Sequence, residues 1–249
     1  MVKRVMICLV VLFATSAYAD LVIYDNSASN PSQYQLDAAL TLMGLSFTEL
    51  ASIDSGDLSS GDVLVIPWNN GGDMSGLDSS IWGAITGNRL LTGHDADWHA
   101  AMGWDSSSDP TDAVGQAAQK FLGQAITFAG AQGGVGLVAL GDYSTAFSYL
   151  PASWNISAEG SMSGDTIGLI TADGYASGVY DGLTAADMSN WGQSYHADFY
   201  PVPAGWQIFE EHASVLTPET IAYVVPAPAA VLLGMLGLSV AGVKLRKST

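Results

Sequence analysis

Three runs constrain this 249-residue chain most: Leu21–Tyr24, Val63–Pro67 and Val135–Leu140 are apolar almost without interruption. A strand with one wet face alternates apolar and polar side chains. A strand covered on both faces does not. These runs therefore predict a sheet buried between two layers. The spacers fit that demand. Asn30 and Pro31 read as an N-cap and a first helical residue, and Leu36, Ala39, Leu40 and Met43 follow at helical spacing, with Gly44 as the stop. Ser46–Ala51 reads as a second strand and Leu77–Thr86 as a helix. Arg89–Thr92 is a further strand, and Asp109 and Pro110 open a long helix to about Ala129. Strands alternate with segments long enough for crossovers, which predicts an α/β fold with a flavodoxin-like, largely parallel sheet and flanking helices. Later segments are less regular. Thr166–Thr171 reads as a strand, Ala185–Ser189 as one helical turn, and Trp206–Glu210 and Thr220–Val225 as closing strands.

The two ends differ from this middle. Lys3 and Arg4, the apolar stretch Val5–Ala14, and Ala17 and Ala19 in a small-x-small site predict a cleaved secretory signal over 1–19. The only cysteine, Cys8, lies inside it, so the mature chain has no thiol chemistry. At the other end Ala229–Val243 lacks charge and is followed by Lys244, Arg246 and Lys247. Fifteen helical residues span about 22 Å, short of a ~30 Å hydrocarbon core, so crossing requires local thinning or snorkelling ends. The cations would hold that end on the cytoplasmic side. The expected organisation is a signal at 1–19, one acidic domain at 20–225, and an anchor segment at 226–249 with a transmembrane helix at about 229–243.

Charge is partitioned the same way. All 24 Asp and Glu lie between Asp20 and Glu219, against two cations, Arg89 and Lys120, a formal charge of −22 for that body. This argues against nucleic acid or anionic lipid as a partner of the body.

Three groups carry candidate chemistry. His94, Asp95, Asp97 and His99 follow a strand at the edge where open α/β sheets bind ligands. Two imidazoles and two carboxylates suit zinc or another divalent cation, and hydrolysis by metal-bound water would follow. The alternative is a polar turn whose side chains satisfy local amides. His196 and Asp198 beside Ser194 have the residue types of a hydrolase, although no Gly-x-Ser-x-Gly elbow accompanies them. Trp68, Trp98, Trp104 and Trp191, with Asn69, Asn70 and His196 nearby, suit carbohydrate, or else plug the ends of the core.

Two resemblances add to this reading. Pro226, Ala227 and Pro228, the apolar run and the Lys244, Arg246, Lys247 cluster resemble the PEP-CTERM sorting signal, also labelled the ice-binding-protein C-terminal domain; Ala227 stands where the motif has its acidic residue. The resemblance implies a bacterial protein exported by the secretion machinery, cut by signal peptidase, and handled by an exosortase, a membrane transpeptidase, often alongside exopolysaccharide. The Val63–Pro67 strand with Trp68, the Leu90–Gly93 strand end, and Gly182, Trp191 and His196 are similar to glutamine-amidotransferase-like domains of the ThuA-like branch. In that family a cysteine occupies a turn that matches Gly93, His94 and Asp95 here, and a His-x-Glu pair matches His196 and Asp198. Without the cysteine the family's glutamine hydrolysis is not expected. The chain thus reads as a non-enzymatic exported protein of the envelope or extracellular matrix, binding or structural, with polysaccharide as a partner. An envelope hydrolase acting on carbohydrate or ester, with or without a divalent cation, is the alternative.

Overall fold

The computed structural model describes residues 20–226 apart from 30, 32–33, 69–72, 106–108, 142–146, 164–167, 190, 192–194 and 214. The signal with Ala17 and Ala19, the run 229–243, Ala227, Pro228 and the terminal cations lie outside the described residues, as do Asn30, Asn69, Asn70 and Ser194. Among the described residues no helix is long and apolar enough to cross a membrane.

In chain order the elements are β1 Leu21–Tyr24, α1 Leu36–Leu42, β2 Thr48–Leu50, β3 Val63–Ile66, α2 Ile81–Ala84, β4 Arg89–Thr92, α3 Ala96–Met102, α4 Ala113–Gly130 and β5 Gly136–Leu140. There follow β6 Ala158–Ser163, β7 Gly168–Ile170, α5 Ala172–Ser177, β8 Tyr195–Phe199, β9 Trp206–His212 and β10 Pro218–Tyr223. Eight strands form one sheet in the order β2-β1-β3-β5-β4-β10-β9-β7. The first five are mutually parallel, and β10, β9 and β7 extend the sheet antiparallel. A largely parallel α/β sheet with flanking helices is therefore present. Flavodoxin orders its strands 2-1-3-4-5; here β4 and β5 are exchanged.

Handedness explains which face each helix covers. The chain moves one way along the sheet from β1 to β2 and from β4 to β5. Their crossovers, α1 and then α3 with α4, pack on the same face, with Leu36, Leu40, Ala100, Phe121 and Leu122 against Ile23, Val65 and Val138. The opposite moves, β2 to β3 and β3 to β4, place Ile53, Leu58, Ile81 and Ile85 on the other face, against Val22, Leu64 and Leu137. Right-handed crossovers require this division. β8, paired with β6 in a separate two-stranded ribbon, adds Ala197 and Phe199 to that second face.

Several sequence expectations shift. Residues 96–99 are not a loop but the first turn of α3. Asp109 does not start the long helix; Asp112 caps it, its Oδ1 accepting from Gly115 N at 2.7 Å. Gly44 does end its helix region, at φ +70°. Ala185–Ser189 is a turn, whereas α5 and β6 went unforeseen, being short and rich in Gly, Ser and Ala, as did β8, a five-residue strand with polar His196 and Asp198 in it.

Candidate functional site

The carboxyl end of β4 is a reversal point of the sheet. The chain arrives there from β3 on one side and returns to β5 on the same side, while β10 packs on the other. Ligand sites of open α/β sheets form at such points. Because β10 runs antiparallel to β4, with Thr220 opposite Thr92, its beginning lies beside the end of β4.

Gly93 makes the close approach possible. Its N–H donates to the Glu219 carbonyl at 2.7 Å, and its carbonyl accepts from Ala197 N at 3.3 Å. A Cβ at this position would lie 1.9 Å from the Ala197 carbonyl oxygen, so only glycine lets β8 close over the end of β4. The contact brings the His196 ring edge-on to His94, centroids 4.5 Å apart.

The β9–β10 pair supplies the carboxylates. Its register skips Glu219 on β10 and Phe209 on β9. In a regular strand neighbouring side chains face opposite sides; a bulge re-aims one of them. Here Thr220 Oγ1 donates to Glu210 Oε2 at 3.2 Å, while a Glu219 oxygen also reaches the same locus. His94 Nε2 lies 2.9 Å from Glu210 Oε2, and Tyr180 donates its hydroxyl to that oxygen at 3.1 Å. One ligand atom each from His94, Glu210 and Glu219 lie within 4.8 Å of one another, and all three side chains are fully buried.

All four histidines of the chain gather here. His94 and His196 touch, His99 meets Asp95 at 3.4 Å, and buried His212 lies within electrostatic reach of His196 and Asp198. Among the described residues Glu210 Oε1 and both Glu219 oxygens have no hydrogen-bond partner; the nearest cation-forming atom to Glu219 Oε1 is His196 Nδ1 at 3.6 Å. An unmet buried polar group costs ~1–3 kcal/mol, more if charged, so this locus is unfavourable as it stands.

Burial sets the electrostatics. Desolvation pushes the Glu219 carboxyl up to about 8 and, with the charge of Asp95, the Asp97 carboxyl to about 7. For His94 desolvation pulls down, but the adjacent Glu210 outweighs it and lifts the imidazole to about 9. His99 also rises, since Asp95 overcomes its desolvation. His196 falls well below the usual imidazole range through burial and the charge of His94 beside it, and so stays neutral. Burial and Glu210 raise Tyr180 strongly, keeping its hydroxyl a donor.

The residues expected from sequence are redistributed. Asp97 Oδ2 accepts from Trp68 N at 3.1 Å, and His99 donates from Nδ1 to the Gly103 carbonyl at 2.7 Å. Asp95, Asp97 and His99 thus hold α3 and its surroundings, while His94 parts from them to join Glu210 and Glu219. Asp198 accepts from Thr217 at 2.8 Å rather than orienting His196. Trp191 is buried against His94, His99 and Phe121, its indole N–H donating to the Asp187 carbonyl at 2.7 Å. Trp68 is also buried, and of these tryptophans Trp104 is the most exposed, at 41 %. Sequence reasoning passed over Glu210, Glu219, Tyr180 and His212. The available signal was a carboxylate inside an apolar run: Glu210 follows Ile208 and Phe209, and Glu219 precedes Ile221 and Ala222. Comparison of the chain with protein-family models, with curated proteins and with solved structures gives no match.

Proposed function

We propose that this is an exported envelope protein whose body binds one divalent metal ion through His94, Glu210 and Glu219. The supporting observation is the buried meeting of one imidazole nitrogen with two carboxylates that retain unpartnered oxygens. A cation would neutralise that locus, and metal–ligand bonds of ~2.0–2.2 Å set neighbouring ligand atoms about 3–4 Å apart, near the spacing present. A mixed nitrogen and oxygen set suits Zn²⁺ or Mn²⁺. Binding would release the proton that His94 and Glu210 share. The export half rests on the signal at 1–19 and on the tail, read as a membrane segment sorted by an exosortase-type transpeptidase. The amidotransferase-like kinship of the body belongs to the same reading, with a sheet order that departs from flavodoxin's at β4 and β5. Polysaccharide recognition by Trp68 and Trp191 has less support, because both are buried. Metal-assisted hydrolysis is favoured by one observation, neutral His196 against the His94 ring, where a base would stand.

The test is metal analysis of the full chain, stripped with chelator and reloaded with Zn²⁺ or Mn²⁺. One ion per chain and a raised melting temperature are expected, with Glu219→Gln and His94→Gln weakening affinity by about tenfold or more. Sub-stoichiometric metal with no change in melting temperature overturns the proposal. Turnover of ester or glycoside substrates only when metal is loaded favours the hydrolytic form.

A further inference from the structure

On the sheet's second face, toward the ends of β4 and β10 away from the metal locus, five rings form an unbroken row. Tyr149 and Trp82 lie 6.1 Å apart, Trp82 and Trp154 5.6 Å, Trp154 and Trp206 6.1 Å, and Trp206 and Tyr223 5.9 Å. Every one is half-buried. The guanidinium of Arg89 lies 4.3 Å from the Trp154 ring centre and 4.9 Å from that of Tyr223. One of its N–H groups donates to the Ile85 carbonyl at 2.9 Å, and its Nε is enclosed without a partner among the described residues. None of the body's many carboxylates forms an ion pair with it among those residues. One of two cations in a body of 24 acids is thus held by aromatic faces instead.

The chain leaves the body at this place. Val225 N donates to Asn88 Oδ1 at 2.9 Å, and Asn88 directly precedes Arg89. From Val225 to Ala229, where the apolar run begins, four steps of extended chain reach at most about 14 Å. Headgroup layers are ~5–8 Å thick on each side of the hydrocarbon. A body tethered this closely holds its exit edge at or near that layer. The half-buried indoles and Tyr223, apolar in body and polar at the tip, favour such an interface, whereas the Tyr149 hydroxyl is enclosed and its ring only backs the row. A half-buried guanidinium that no carboxylate among the described residues neutralises matches lipid phosphate.

We propose that the row Trp82, Trp154, Trp206 and Tyr223, backed by Tyr149 and with Arg89 against Trp154 and Tyr223, seats the body on the headgroup layer of the membrane that the 229–243 segment enters. This rests on the membrane reading of the tail. The rings and the guanidinium bind zwitterionic lipid, since the acidic body repels anionic headgroups. The buried metal locus, at the other end of β4, then lies on the side away from the bilayer.

The tail and the signal contain no tryptophan, so tryptophan fluorescence reports on the body alone. The full chain is reconstituted in phosphatidylcholine–phosphatidylethanolamine vesicles whose acyl chains carry bromine either near the headgroup or near the bilayer centre. Resistance to carbonate extraction is measured on the same vesicles. Expected are resistance, quenching about twofold stronger from shallow than from deep bromine, and loss of most of that quenching in the Trp154→Phe, Trp206→Phe double variant. Arg89→Gln is expected to weaken shallow quenching without reducing resistance. Resistance without shallow quenching overturns the seating and leaves the membrane reading of the tail intact; a row occupied by saccharide or protein gives that result. Extraction by carbonate overturns the membrane reading and the seating with it.

Discussion

The site turns on Gly93. Its N–H and carbonyl join β10 to β8 across the end of β4, and no Cβ fits 1.9 Å from a backbone oxygen. Gly93→Ala must therefore push β8 away or break those bonds, and a loss of about 3 kcal/mol in unfolding free energy is expected by urea titration. Gly83, inside α2, supplies the contrast. Nothing lies within 4 Å of a Cβ there, so Gly83→Ala should leave stability unchanged or raise it by about 0.5–1 kcal/mol. Gly93 and His94 were singled out in the sequence because they follow a strand. The need for glycine was not visible, since it arises from a strand more than a hundred residues away.

At the scale of elements, α3 and α4 show how local signals mislead. Asp95, Asp97 and His99 look like a polar loop because charged residues crowd a short interval. They are buried at the start of α3 because partners lie close by: the Trp68 amide, just past β3, for Asp97, and the Gly103 carbonyl, at the end of α3, for His99. The start of α4 was misplaced by three residues because Asp109 followed by Pro110 resembles a cap. Asp112 does the capping, and its Oδ2 also accepts from Trp104 N at 2.9 Å. One carboxylate thus serves both the helix end and the α3–α4 connection. Asp112→Ala should cost about 1–2 kcal/mol by thermal unfolding, and Asp112→Asn distinctly less. The β9–β10 bulge had no sequence signal, since it depends on how Glu219 and Glu210 settle opposite each other.

For the whole molecule, the buried centre predicts how stability varies with pH in chelator-stripped protein. Glu219 and Asp97 have folded values of about 8 and 7, above their ordinary carboxyl range, and His94 has about 9, above the ordinary imidazole value. A raised folded value means that the folded state holds the proton more tightly. Each contribution is complete below the unfolded value and is lost as pH climbs through the folded one. The three losses fall in the windows from about 4.5 to 8, from about 4 to 7, and from about 6.5 to 9. His196 is depressed, so its contribution is lost as pH drops below about 6.5. Urea midpoints of the stripped protein should be highest near about pH 4.5, fall gently to about pH 6.5 while the His196 term offsets one of the two carboxyl losses, and fall more steeply from there to pH 9, by at least about 2 kcal/mol. Bound metal should flatten the decline by holding the carboxylates ionised. A midpoint that rises from pH 6 to 9 without metal would contradict the burial of these groups. By itself the sequence determined the parallel sheet, its covering helices and the separation of an acidic body from two apolar, cationic ends. Those follow from periodicity and from where charges stand, which are local properties. Only the tertiary structure decided that His94 leaves its sequence neighbours for Glu210 and Glu219, and that five rings line up beside the chain's exit. Such meetings depend on strand order and register, which join residues 94, 196, 210 and 219 through closures that no local pattern encodes.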